Sequence, residues 1–235
     1  MKMQINVNVI RTTTKFKKSK RAIADYPHDL LKKPSSKKLG AAGKLVTKGR
    51  LKGAEVFTLT LTERETCPQS CGHWEDCYGN NMPFAHRLEH GPELEARLER
   101  EVASKCHKAA MKGRQVLIRL HVLGDFYSAE YVRLWDNLLA RFDNLNVWGY
   151  THVTENDNYL IYHLLHRMRI EFGSRWAVRW SDKVNETFSA NSEEIQKPVK
   201  GKAIVCPEQE GKTLACTTCA LCWDKENVQI IFKTH

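Results

Sequence analysis

The 235-residue chain has no long apolar run, and this excludes a membrane-spanning helix of the ordinary kind. No stretch approaches the roughly 18 consecutive apolar residues that a spanning helix needs. The N-terminal segment MKMQINVNVIRTTT also lacks the apolar core of a secretory signal. We therefore expect a cytoplasmic protein. Because the cytoplasm is reducing, its eight cysteines are expected to bind metal rather than to form disulfides.

Acidic residues are scarce in one segment of the chain. Residues 11–50 contain thirteen Lys or Arg and only two acidic residues, whereas the whole chain has a net charge of +10. Aromatic residues are also few there, since only Phe16 and Tyr26 occur. Such a segment attracts phosphate backbones without sequence preference and adds little base stacking. We predict weak nucleic-acid binding through residues 11–50, with a solvated or partner-binding tail as the alternative.

Strand-like and helix-like segments alternate from residue 54 onward, so we divide the chain into a basic N-terminal extension (1–53) and an α/β body (54–235). β-branched and aromatic runs predict six strands, over 55–62, 115–123, 146–153, 175–181, 202–206 and 228–233. Helical patterns bounded by Pro and Gly predict helices over about 92–112, 128–142 and 155–171, with a weaker segment over 182–198. This alternation is typical of a parallel α/β sheet, either a partial (β/α)6 barrel or an open doubly wound sheet.

Reactive side chains follow the predicted strands at the points where the strands end. Functional sites of parallel sheets lie at the carboxyl ends of the strands, so we expect these residues to converge on one rim. They are Cys67, Cys71, Cys77, Gly124, Asp125, His152, Thr154, Ser181, Asp182 and Cys206.

The second predicted strand places polar residues on one face. Arg119 and His121 alternate with apolar neighbours and are expected to share a face with Asp125. Charged groups on a buried face are unfavourable unless they pair with an opposite charge or bind a ligand. The face is therefore either an internal Arg–Asp pair that fixes the strand register or a polar, partly anion-binding interior.

The later cysteines form a compact group in which Cys206 precedes a C-x2-C-x2-C run of Cys216, Cys219 and Cys222. Successive x2 spacings are typical of the ferredoxin loop that wraps a four-iron cluster. A structural zinc site more often has two separated pairs of ligands. We expect a [4Fe-4S] cluster at this site, with zinc or packed, unligated thiols as alternatives.

The earlier group, C-x3-C-x5-C, has three cysteines: Cys67, Cys71 and Cys77. Three thiolates on a four-iron cluster leave one iron open for a substrate or cofactor. The alternative is a zinc ion with His73 as fourth ligand. Cys106 has no neighbouring cysteine, and we expect it to be a small packed residue within a helix.

A three-cysteine loop after the first strand of a parallel α/β chain resembles the radical S-adenosylmethionine (radical SAM) superfamily. The resemblance implies a partial barrel and an open iron that binds S-adenosylmethionine. It places Gly124 and Asp125 where that family contacts the methionine amine, and it makes the later cysteine group an auxiliary cluster. Because Asp76 stands where the family usually has an aromatic residue, Trp74 or Tyr78 would stack on the cofactor. Ser181 completes the expected cofactor-binding set.

Three stretches resemble phage and prophage proteins of the gene product 88 type: TCPQSCGHWEDCYGNNMP, RLHVLGDFYSAEYVRLW and CTTCALCW…IIFKTH. This resemblance covers about residues 38–235 and implies no reaction. It adds the host cytoplasm as the expected location if the chain is phage-encoded.

Together these patterns predict an iron–sulfur enzyme of the radical SAM type that uses an external electron donor. Its substrate is unknown, and an anionic or nucleic-acid-related compound is the candidate. The side chains expected to act on or grip the substrate are Arg119, His121, Asp125, His152, Arg179 and Lys233. The main alternative is a non-enzymatic, metal-stabilised nucleic-acid-binding protein. A pure electron carrier is a third hypothesis, and the polar strand ends disfavour it.

Overall fold

The computed structural model describes residues 14–40, 45–182, 188–192 and 202–233. Within these ranges the strands are β1 (Lys20–Arg21), β2 (Glu55–Thr58), β3 (Arg87–Leu88), β4 (Val116–Leu120), β5 (Leu145–Thr151), β6 (Trp176–Ser181), β7 (Ser189–Ser192), β8 (Lys202–Val205) and β9 (Val228–Phe232). The α-helices in the same ranges are α1 (Pro92–Ala110), α2 (Ala129–Arg141), α3 (Tyr159–Phe172), α4 (Cys216–Cys219) and α5 (Leu221–Asp224).

Seven of these strands form one parallel sheet in the order β2-β4-β5-β6-β7-β9-β8. Every neighbouring pair in it runs parallel. β1 and β3 form a separate two-stranded parallel sheet. The predicted α/β class with a parallel sheet is therefore confirmed, while the choice between a partial barrel and an open sheet stays a prediction.

The long helices begin at residues suited to a helix N-terminus. Pro92 occupies the first turn of α1, where its missing N–H leaves no donor unsatisfied. The Ser128 side chain accepts a hydrogen bond from the Tyr131 amide at the start of α2, and Asn158 accepts from the Ile161 amide at the start of α3. α3 thus starts later than predicted because Asn158 caps it. No helix in the described part of the chain is both long and apolar enough to cross a membrane.

The two faces of the sheet are covered by different parts of the chain. On one, the helix face, α1, α2 and α3 bury side chains such as Leu98, Trp135 and Leu165 in a single apolar core. On the other, the cysteine face, Leu117 packs in a second core with Trp223 of α5 and with apolar residues of the N-terminal segment. The three long helices therefore all contribute to the helix-face core, whereas the core on the cysteine face combines strand residues with the N-terminal segment, Phe188 and α5.

The N-terminal segment predicted as a basic extension contributes to both cores. Ile23, Leu30 and Leu31 are buried in the helix-face core. Leu39 and Leu51 are buried on the cysteine face. Residues 1–13 and 41–44 of this segment lie outside the described residues, and the division of the chain at residue 53 stays a prediction.

The sheet contains a strand that the sequence pattern did not predict. β7 pairs with β6 and β9 inside the weak segment 182–198, of which 183–187 and 193–198 lie outside the described residues. Its sequence, Ser-Ala-Asn-Ser, has none of the β-branched or large apolar residues by which strands are recognised. The Asn191 side-chain amide donates to the side chains of Ser189 and Gln229 at 3.1 Å each, while its Oδ1 is buried without a hydrogen-bond partner among the described residues.

Candidate functional site

The three cysteines of the first group lie close together in the loop after β2. Cys67, Cys71 and Cys77 are each half-buried. Burial raises the pKa of Cys67 well above its usual value, and the nearby Asp125 carboxylate and the other two thiols act in the same direction. The three thiols are thus near enough to influence one another electrostatically. Their role as metal ligands stays a prediction.

A buried ion pair fastens this cysteine loop to the body of the protein. Arg87 is completely buried, and its Nε donates to Glu63 Oε2 at 2.7 Å. Its other guanidinium nitrogens donate to Ser19 Oγ and to three backbone carbonyls between residues 79 and 85. The second Glu63 oxygen accepts from the Thr14 hydroxyl at 2.7 Å. The segment that follows Cys77 is therefore fixed by one guanidinium.

The Gly124–Asp125 turn after β4 joins this loop to β5. Gly124 has a φ of +90°, and a Cβ there would lie 2.5 Å from Thr66 Oγ1, so only glycine fits. The Asp125 carboxylate accepts from Thr151 Oγ1 at 2.8 Å and from the His152 amide at 2.7 Å. Burial nevertheless raises the pKa of Asp125 to about 6. One carboxyl group thus sets the positions of two strand ends beside Cys67.

A histidine–aspartate cluster borders the same cysteines. Asp182 Oδ2 lies 3.1 Å from His73 Nε2 and 3.3 Å from His152 Nε2. Burial disfavours the charged form of His152, but hydrogen bonds with Asp182 and with the Cys71 thiol outweigh it and raise its pKa to about 10. Both ring nitrogens of His73 face carboxylates, since Nδ1 lies 3.4 Å from Asp76. The expected convergence of strand ends therefore holds for the first cysteine loop, β4, β5 and β6.

The four later cysteines line a single concavity together with Pro207, Trp223 and Ile230. Cys206 directly follows β8, while the other three lie on α4 and α5. Ala220 between these short helices adopts a left-handed conformation with a φ of 63°. This turn between α4 and α5 allows all three cysteines of the C-x2-C-x2-C run to line the same concavity. The predicted second ligand set is thus assembled from two parts of the chain.

The N-terminal segment supports this second site. The Cys216 amide donates to the Lys38 carbonyl at 2.7 Å, and the Thr47 amide donates to the Thr217 carbonyl at 3.0 Å. The amide of Arg50 donates to the side chain of Asp224 at 3.0 Å. Sequence reasoning missed this role, because contacts between segments about 170 residues apart leave no local pattern.

Arg179, predicted to grip a substrate, is completely buried on β6. Its Nε donates to the Cys222 carbonyl at 3.0 Å, and its terminal nitrogens donate to the carbonyls of Lys225, Val228 and Ser189. This geometry ties the loop after the last cysteine to the sheet. The predicted contact with a substrate stays a prediction.

His121 lies on the side of the sheet opposite to that predicted. Its Nε2 is 2.9 Å from the hydroxyl of Tyr131 on α2, within the helix-face core. Burial lowers its pKa to about 3, so the ring is neutral at ordinary pH. The expectation that His121 shares a face with Arg119 is wrong because β4 ends at Leu120, and the two-residue alternation ends with it.

The remaining predicted residues are spread around the rim. Trp74 is buried, and its carbonyl accepts two hydrogen bonds from the Arg64 guanidinium. Ser181 ends β6 beside Asp182, and Lys233 is exposed beyond β9. Their roles in binding a cofactor or substrate stay predictions.

Arg119 points to the cysteine face between the two cysteine sites. Its guanidinium lies 5.7 Å from the ring centre of Tyr150. Tyr78 is also close enough to interact with it electrostatically. The register of β4 and β5 places Arg119 beside Trp148, and Tyr150 lies two residues further along β5.

Cys106 is set apart from both groups in the helix-face core, as predicted. It is 0% exposed, and burial raises its pKa to about 12. Only the thiolate reacts with alkylating agents. We therefore expect iodoacetamide at pH 8 to leave Cys106 unlabelled in the native protein and to label it after denaturation in urea, as read by peptide mass spectrometry. Fast labelling in the native state would contradict its packed position. The peptide that contains Cys106 is assigned by its loss of labelling in the Cys106→Ala variant.

The number and the chemical type of the donors at the two sites, rather than their arrangement, match iron–sulfur clusters. Four thiols around one concavity match the ligand number of a four-iron cluster, and three neighbouring thiols match a cluster with one open corner. Within the described ranges, no group of three or more His, Cys, Asp or Glu side chains is arranged to hold a metal ion. Ligation by either cysteine group therefore stays a prediction.

Comparison with known proteins identifies a family. The family model described as gene product 88 matches residues 29–225. No curated protein and no solved structure matches the chain. The matched range includes Cys67, Cys71, Cys77 and all four cysteines of the second site.

Proposed function

The chain belongs to the gene product 88 family, and from its two cysteine sites we propose that it is an iron–sulfur enzyme of the radical SAM type. The observation that carries this proposal is the convergence of Cys67, Cys71 and Cys77 with the ends of β4 and β5. Three thiols there leave one position of a four-iron cluster without a protein ligand, and the adjacent strand ends supply polar groups. A purely structural metal site would need neither an open position nor polar groups beside it.

The proposed cofactors are two [4Fe-4S] clusters and S-adenosylmethionine. Cys67, Cys71 and Cys77 would hold the first cluster, and the second site would hold an auxiliary one. A reduced first cluster would supply the electron that cleaves the cofactor. The chain's own part is to bind and orient: Gly124 allows a close approach, and Asp125 fixes the His152 amide at the rim.

A partial barrel is the architecture that we propose for the sheet. The three long helices all pack into the helix-face core. An open doubly wound sheet would place helices on both faces. The strand order is also sequential from β2 to β7 apart from the separate β3. The cysteine face would then be the interior of the barrel.

The test is cofactor cleavage under anaerobic conditions. Protein purified or reconstituted without oxygen, reduced with dithionite and incubated with S-adenosylmethionine, is expected to release 5′-deoxyadenosine. Zinc-loaded protein serves as the control and should release none. If fully iron-loaded, reduced protein neither cleaves nor binds the cofactor, the enzyme assignment is wrong.

Nucleic-acid binding is the second candidate function, and a basic concavity favours it. Lys32, Lys33 and Lys105 line a hollow on the surface beside β2, where Lys105 is paired with Asp29 at 2.9 Å and the other two lysines supply the net positive charge. We expect Lys32→Glu with Lys33→Glu to weaken binding to single-stranded DNA at least tenfold at low salt, because each lost cation removes counterion release. The matched control is the double variant Lys202→Glu with Lys225→Glu, which reverses the charge of two exposed lysines outside the hollow. Equal losses in the two double variants would show only a net-charge effect.

A further inference from the structure

Arg119 is a partly enclosed cation with no acidic partner in the described part of the chain. Its Nε is buried and has no hydrogen-bond partner there. The guanidinium is flanked by the Tyr150 ring and by Tyr78. A buried charge is unfavourable unless an opposite charge or a full set of hydrogen bonds compensates it. The two neutral tyrosines bring no negative charge, and Arg119 is only partly exposed to solvent, so an anion beside it would be favourable.

The neighbours of Arg119 lead to both cysteine sites. Tyr78 directly follows Cys77 and lies within electrostatic range of Cys67 and Cys77. On the other side, the Tyr150 hydroxyl donates to Cys222 Sγ at 3.2 Å. Arg119 itself lies within electrostatic range of the thiols of Cys216 and Cys222. One guanidinium therefore lies between the two groups of prospective thiolate ligands.

We propose that Arg119 is a shared counter-charge that raises the reduction potentials of both iron–sulfur clusters. The inference rests on the proposed function, because it requires clusters at both cysteine sites. Thiolate-bound clusters are anionic, and reduction adds a further negative charge. A nearby fixed cation stabilises the reduced form more than the oxidised form, the more so in a poorly solvated setting. Arg119 ligates neither cluster and acts through its charge.

The test compares Arg119→Met with Arg119→Lys. Methionine keeps the bulk and removes the charge, whereas lysine keeps the charge. In redox titrations followed by electron paramagnetic resonance, Arg119→Met is expected to lower the ratio of reduced to oxidised form at least tenfold for each cluster at a fixed potential. For a one-electron couple this is a shift of about 59 mV. Arg119→Lys should stay within about threefold of the unsubstituted protein, and Arg133→Met, on the exposed surface of α2, should cause no shift.

Each outcome decides a separate point. Unchanged potentials in Arg119→Met, with both cluster spectra intact, would overturn the inference and leave the proposed function standing. A shift of one cluster alone would overturn the shared role. If Arg119→Met does not fold, Arg119→Gln replaces it, and a Gln variant with the potentials of the Lys variant contradicts the proposal. Unsubstituted protein without two clusters would overturn the proposed function first and this inference with it.

Discussion

Replacing Cys71 with alanine is expected to abolish cofactor cleavage, whereas replacing Cys219 should only reduce it. Cys71 is one of three thiols at the proposed open cluster, and its loss leaves two ligands. Cys219 belongs to the second concavity, which the cofactor need not touch. Release of 5′-deoxyadenosine and iron content per chain are the measurements, made on anaerobically purified protein.

Cys106→Ala is the matched control for these variants, because it removes a thiol that lies in neither site. It should keep full iron content and full cleavage. If Cys71→Ala still cleaves the cofactor, the first group is not the catalytic ligand set. Equal loss in Cys71→Ala and Cys219→Ala, with both clusters gone, would instead show that the two sites form as one unit.

Arg87→Met is expected to lower the free energy of unfolding by about 3–5 kcal/mol, because the buried Glu63 carboxylate loses the cation that is hydrogen-bonded to it. Glu63 is 1% exposed and would keep the Thr14 hydroxyl and the more distant Arg64 guanidinium, whose Nη1 lies 3.8 Å from Oε1. Carbonyls of the first cysteine loop would also lose their donor. Thermal unfolding under anaerobic conditions should show a midpoint lower by on the order of 10 °C.

The double variant Glu63→Gln with Arg87→Met separates the ion pair from the loop contacts. Without the stranded charge, it should be less destabilised than Arg87→Met alone. Arg133→Met is the surface control and should change stability by less than about 0.5 kcal/mol. A stability of Arg87→Met equal to that of Arg133→Met would contradict the role assigned to the buried pair.

The sequence allowed the rim of the site to be predicted because parallel strands put their ends together. Gly124, Asp125 and His152 were recognised from their places after strands, and the structure joins them through the Asp125 carboxylate. The cysteine groups were recognised from spacing alone. Local patterns of two to ten residues are sufficient for such predictions.

Contacts between distant segments had no such signal. The Arg87–Glu63 pair joins two polar residues 24 positions apart, and nothing in either local pattern marks them as buried. The support of the second cysteine site by Lys38 and Thr47 is of the same kind. β7 was missed because its burial is set by its neighbouring strands rather than by its own composition.

The most direct test of the account is electron paramagnetic resonance of anaerobically purified, dithionite-reduced protein, recorded with and without S-adenosylmethionine. We expect about eight irons per chain, since two clusters would carry four each. We also expect signals from two clusters, of which only the one lost in Cys71→Ala changes when the cofactor is added. Near-stoichiometric zinc with no cluster signal, or two cluster signals that S-adenosylmethionine leaves unchanged, would contradict it.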